Sequence, residues 1–278
     1  MQLQDASEDL ADLRRAVTLL ESPSITAKLA NLVGSPLELA LKKLPGVVTR
    51  QIDTAVKTAL SKSSDVALWS LNKRPQSKSA VLGHKLAAAA SGAVGGAFGM
   101  SALFIELPVS TTIIMRSVAG IAREEGFDLA DLETKHACIE VFALGGRTVA
   151  DDATETGYYV ARSFTAEAMR GLSQELASIA AKKATGAAVN MTPQHAGRWI
   201  ARMIEKVASQ FGIVVTQKFA AQAVPVIGAV SGATINTMFT SYYQDMARGH
   251  FIVKRLERSY GEEEVARVYK EIAAARRA

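Results

Sequence analysis

Cysteine is almost missing: Cys138 is the single thiol in 278 residues. An internal disulfide and a zinc site of clustered cysteines are thereby excluded, and a reducing compartment follows. Aromatic residues are scarce, at 6 %, although hydrophobic residues reach 49 %. Alanine and other small residues therefore carry much of the apolar content. Sandwiches and barrels draw on aromatic and β-branched residues, so closely packed helices are the better expectation. Seven prolines leave room for long helices. A concentrated cationic stripe is also missing. The net charge of +5 is spread along the chain, so no nucleic-acid partner is expected, and an anionic lipid surface suits scattered Lys and Arg. The opening MQLQDASEDLADLRR has no apolar core and does not read as a signal peptide. The expected location is the cytoplasm, peripheral at the inner face of the cytoplasmic membrane.

What is present is helical periodicity. Ser7 to Leu20 carries Leu10, Leu13, Val17 and Leu20 at three- and four-residue steps, with Ser7 as the expected N-cap. Short and long helices are predicted over Leu37–Leu44 and Val47–Leu71, and a basic linker, NKRPQSKS, follows. Val81–Ile105 and Pro108–Glu125 read as two helices, or one broken near Pro108, with Gly126 as the stop. Asp128 is the expected N-cap of Leu129–Leu144, which Gly145-Gly146 ends. Thr148–Ala188, Ala196–Val215 and a final amphipathic Glu262–Ala275 complete the pattern. Lys218–Arg248 forms a second small-residue stretch. No strand hairpin stands out. The expected fold is all-α, a single-domain helical bundle with two central small-residue (Gly/Ala) segments, Leu86–Glu125 and Lys218–Arg248. Residues 1–34 form an amino-terminal amphipathic helix and linker, and residues 35–278 the helical domain.

The carboxy-terminal third resembles the EcsC family. Pro225, Gly228 and Gly232, Asn236, Ala247, His250-Phe251 and Arg255-Leu256-Glu257 carry the likeness. TGYYVAR (Thr156–Arg162), LKKLPGVVTRQID from Leu41, and the acid before Pro108 extend it over roughly residues 35 to 265. Glu106 stands where an Asp is commoner in the family. The resemblance implies an accessory protein at the membrane, encoded beside an ABC transporter. It brings no catalytic residue and no cofactor.

Leu86 to Ile105 runs without a charge for the length of a bilayer span. Gly92, Gly95, Gly96 and Gly99, and later Gly228 and Gly232, have the spacing that lets helix backbones touch. A buried core helix pair is expected, because Glu106 and Gln222 are expensive in lipid. A re-entrant membrane contact and a Gly-zipper oligomer that inserts into membranes are the alternatives. Lys218 counts among the charges flanking the second segment. Arg248, Lys254, Arg255 and Arg258 are the expected contacts to a membrane or a transporter. An enzyme, possibly a hydrolase, is the rival reading. It requires Glu106, Arg116, His136, Glu140, Asp245 and His250 to converge on one polar pocket. His136 and Glu140 share a helix face. With Asp245 and His250 they could hold a divalent ion, but HExxH is absent and no metal is expected. Ser110, Thr111 and Thr112 would begin a helix after Pro108, capping it or receiving an anion.

Overall fold

The computed structural model describes residues 3, 6–70, 100–146, 157–185, 191–224 and 228–277, with the backbone alone at 65–70, 100–105 and 228–231. Ten α-helices and one 3-10 turn account for nearly all of them, and no strand occurs among the described residues. They are α1 (Ser7–Leu20), α2 (Ile25–Val33), α3 (Ser35–Lys42), α4 (Gly46–Ser70) and α5 (Met100–Glu124). Then come α6 (Leu132–Glu140), running into the 3-10 turn Val141–Gly145, α7 (Gly157–Ala184), α8 (Pro193–Gln222), α9 (Gly228–Tyr260) and α10 (Glu262–Arg277).

One apolar core joins the bundle. α4 packs against α5 and α8, and α9 lies across α5 on one side and α1 on the other. Leu13, Ala16, Val17 and Leu20 bury one face of α1, the stripe that their spacing predicts. Tyr242, Tyr243 and Phe251 are wholly buried. Tyr243 stacks on Phe142 at 5.2 Å, and Phe127 meets Phe251 edge-on at 5.1 Å. These few aromatics therefore fill the centre instead of lining a surface.

Several local expectations are corrected. Pro108 sits inside a continuous α5. Packing against α4 and α9 keeps the helix continuous through the residue that lacks an N–H. Ser110 and Thr112 are consequently mid-helix and donate back to the carbonyls of Leu107 and Pro108, at 3.2 and 2.7 Å, so no helix start exists there for an anion. Ser7 is the first helical residue; Ala6 occupies the N-cap without a side-chain bond. Asp128 accepts from the Ala130 N–H at 2.8 Å in a turn, and α6 begins later, after Asp131. α2 was not predicted; Ser24 caps it, accepting from the Ala27 N–H at 3.2 Å. Gly126 does end α5: its φ of 82° and the Phe127 N–H to Ala122 carbonyl bond of 3.0 Å make a glycine stop. α8 extends to Gln222, so Lys218 belongs to α8 and not to the helix that carries Arg248.

Gly92, Gly95, Gly96 and Gly99 lie outside the described residues. Gly228 starts α9, and Gly232 is buried within it. Close approach is visible instead at Gly249, where a Cβ would stand 2.5 Å from Leu20 Cγ of α1. At Gly212 a Cβ would stand 3.0 Å from the Asp53 carboxylate of α4. No described helix is long and apolar enough to cross a membrane.

Candidate functional site

Three helices bring the first polar network together. Glu106 of α5 is 6 % exposed and Lys218 of α8 is 2 % exposed. Lys218 Nζ donates to Glu106 Oε1 at 2.7 Å, and Asn236 Nδ2 of α9 donates to the same oxygen at 3.0 Å. The ammonium also lies 5.2 Å from the centroid of the Phe239 ring. A charge taken out of water needs this kind of complete partnership. Lys218 is thus a buried counter-ion and not a flanking surface cation. Arg116 is on the same continuous helix, ten residues on, about 15 Å of rise, so it does not reach Glu106.

A second network collects Glu140, His250, Tyr158 and Thr165. His250 Nε2 stands 3.4 Å from Glu140 Oε2, and its Nδ1 is 3.0 Å from the Tyr158 hydroxyl. A neutral ring protonated on Nε2 and accepting from Tyr158 fits both contacts. Burial holds the His250 pKa well below its ordinary value, and the charges of Lys254 and Arg162 add to the effect. The Thr165 hydroxyl donates to Glu140 Oε1. Beside this group Arg162 grips Glu257 with both guanidinium nitrogens, at 2.6 and 3.3 Å, and faces the rings of Tyr158 and Tyr159. Glu21, at the end of α1, receives the N–H groups of Gly157 and Tyr158 at 3.2 and 3.4 Å and the Tyr269 hydroxyl at 2.7 Å. A carboxylate from α1 thus caps α7.

The six residues of the enzyme reading therefore divide. Glu140 and His250 meet, and Glu106 belongs to the other network. His136 is fully buried, and neither ring nitrogen has a hydrogen-bond partner among the described residues. Burial lowers its pKa to about 4. Asp245 lies at the surface and pairs with Arg248 at 3.4 Å. Among the described residues, no three of His, Cys, Asp and Glu gather in a metal-binding cluster.

The expected surface cations are largely engaged within the chain. Arg255 reaches Asp9 at 3.3 Å, Asp12 at 2.5 Å and Glu125 at 3.0 Å, tying α1 and α5 to α9. Arg258 lies 3.9 Å from the centroid of Phe127. Lys254 lines a cleft of about 250 Å³ that also contains Glu133, Glu257 and Glu262.

Exposed cations without an ion pair among the described residues occur on or beside α3 and α4, as at Lys42, Lys43, Arg50, Lys57 and Lys62, and at one end of α7 and α8. α7 and α8 pair antiparallel: Glu167 meets Lys206 at 3.8 Å, Gly171 meets Trp199, and the Trp199 indole N–H donates to Glu175 at 2.8 Å. Beyond Leu172 on α7, and before Met203 on α8, no described residue is buried. The ends of the two helices therefore project from the bundle as a hairpin, by about 15 Å over ten residues. Alanine-rich sequence sustains α7 without a core, Lys182 and Lys183 suit its carboxyl end, and Thr192 with Pro193 starts α8. From Leu176 to Ile204 the chain contains no Asp or Glu. Lys182, Lys183 and Arg198 are exposed and make no ion pair among the described residues. One signal in the sequence could have marked this hairpin: the missing acids.

Among known families, the model of the EcsC protein family matches residues 7–256, which includes α1. No curated protein and no solved structure matches the chain.

Proposed function

The chain belongs to the EcsC protein family, and from that premise we propose that it is a non-enzymatic accessory protein that binds an anionic membrane surface from the cytoplasmic side. The observation that carries this reading is the projecting hairpin, whose unpaired Lys182, Lys183 and Arg198 lie in a stretch free of acids. A cation near an anionic bilayer contributes about 1 kcal/mol, so three give about 3 kcal/mol, a hundredfold in affinity. Small apolar residues between the cations suit the headgroup boundary better than a nucleic-acid backbone, which calls for denser charge. The buried Glu106–Lys218 pair supports a binding role over a catalytic one, because its charges are already spent on one another. Arg248 and Arg255, bound to carboxylates of the same chain, are secondary contacts in this reading.

The test is sedimentation with phosphatidylglycerol vesicles at low salt. Reversing Lys182, Lys183 and Arg198 to Glu abolishes binding in this reading, and Lys270→Glu, at an exposed position of α10, leaves it unchanged. Equal binding by the triple variant and the parent would refute the hairpin. Binding to a membrane transporter in place of lipid would appear as retention on native membranes with no affinity for protein-free vesicles.

A further inference from the structure

At the base of the hairpin, α7 and α8 leave a cleft of about 640 Å³. Trp199 forms its wall, and its orientation is fixed twice. A Cβ at Gly171 would stand 2.8 Å from the ring's Cη2, so the absent side chain admits the indole against α7. Glu175 holds the indole N–H at 2.8 Å. The Arg202 guanidinium lies 4.9 Å from the ring centroid. Arg170 lines the cleft from the other helix, exposed and without a hydrogen bond or ion pair among the described residues. Lys206 and Glu167 offset one another at 3.8 Å.

We propose that this cleft binds a phosphate group attached to a small carbon skeleton, such as the glycerol phosphate of a lipid headgroup. Arg170 and Arg202 approach from two helices and supply planar donor forks for phosphate oxygens. The fixed indole gives the adjoining carbons an apolar platform, the interfacial use to which tryptophan is suited. Glu205 also lines the cleft, and with Glu167 and the indole-bound Glu175 it matches the charge of Arg170, Arg202 and Lys206; the phosphate would be held by the two guanidinium forks and not by an excess of positive charge. The lipid source of the phosphate rests on the membrane reading above, whereas the phosphate site itself does not.

The test uses the full chain with Trp69→Phe, which leaves Trp199 as the one tryptophan. Its emission is followed on titration with glycerol 3-phosphate, inorganic phosphate, a short RNA, and vesicles of phosphatidylglycerol or phosphatidylcholine. A saturable change with glycerol 3-phosphate and with phosphatidylglycerol vesicles is expected, weakened at least about tenfold by Arg170→Gln with Arg202→Gln. Both arginines are exposed, so circular dichroism should show an unchanged fold; the single Arg170→Gln serves if it does not. A response to phosphate and glycerol 3-phosphate but not to vesicles assigns the site to a free phosphate compound. Flat emission throughout, a response indifferent to the arginines, or a tighter response to RNA overturns the proposal. If emission stays flat while vesicles still sediment the chain, the cleft is refuted and the membrane reading stands.

Discussion

Replacing Lys218 by Met tests how the bundle tolerates a charged group at its centre. The substitution keeps the length of the side chain and its packing against Phe239. It leaves the Glu106 carboxylate, 6 % exposed, with the Asn236 amide as the partner seen at 3.0 Å. Removing one member of a buried pair costs about 3–5 kcal/mol, because the survivor remains desolvated without compensation. For a chain of this size 1 kcal/mol shifts Tm by roughly 2–4 °C, so a drop of about 10 °C is expected. Glu106→Gln strands the ammonium instead and should cost a similar amount. The double variant removes both charges and keeps an acceptor for Asn236. It should lie within about 2 kcal/mol of the parent, since a well-packed neutral replacement of a buried pair is often near neutral. Urea unfolding of all four proteins closes the cycle, with a coupling energy of at least about 4 kcal/mol expected from those single and double values. Single variants that each cost under about 1 kcal/mol and add in the double would refute the buried pair.

Three further outcomes follow from the packing. His136 has its pKa lowered to about 4 against an ordinary 6.5, so the unfolded chain binds more protons between these values and stability falls as pH falls through that window. The loss approaches about 2 kcal/mol at pH 5, with His250 adding to it in the same direction; His136→Leu should flatten the slope in urea titrations at pH 7 and pH 5. Gly249→Ala drives a methyl into Leu20 and should cost about 1–3 kcal/mol by thermal unfolding, with partial rescue by Leu20→Ala. Glu21→Gln removes the charge that caps α7 and should lower stability by about 1 kcal/mol, seen as faster amide exchange at Gly157 and Tyr158.

Residue spacing made the helices legible wherever one face was apolar, as in α1 and α10. It failed where tertiary contacts override a local signal. Pro108 reads as a break but is held inside α5, and Asp128 reads as a cap but closes a turn. Glu106 was legible as a buried acid because an apolar run surrounds it. Its partners were not, since Lys218 and Asn236 lie 112 and 130 positions away and only helix packing joins them. Arg255 looked like a surface cation because its three carboxylates come from α1 and α5, far off along the chain. The two helices of the hairpin were legible, and Leu172, Leu176 and Ile179 even repeat at core spacing; that they project from the bundle was not, since its mark is an absence of acids, which periodicity does not register.

Whether the chain meets an anionic surface is measured directly by its sedimentation with phosphatidylglycerol and phosphatidylcholine vesicles across a salt series. Binding confined to the anionic vesicles, and fading as salt shortens the reach of the charges, is the predicted result. Equal binding to both compositions at all salt concentrations, or none to either, would contradict it.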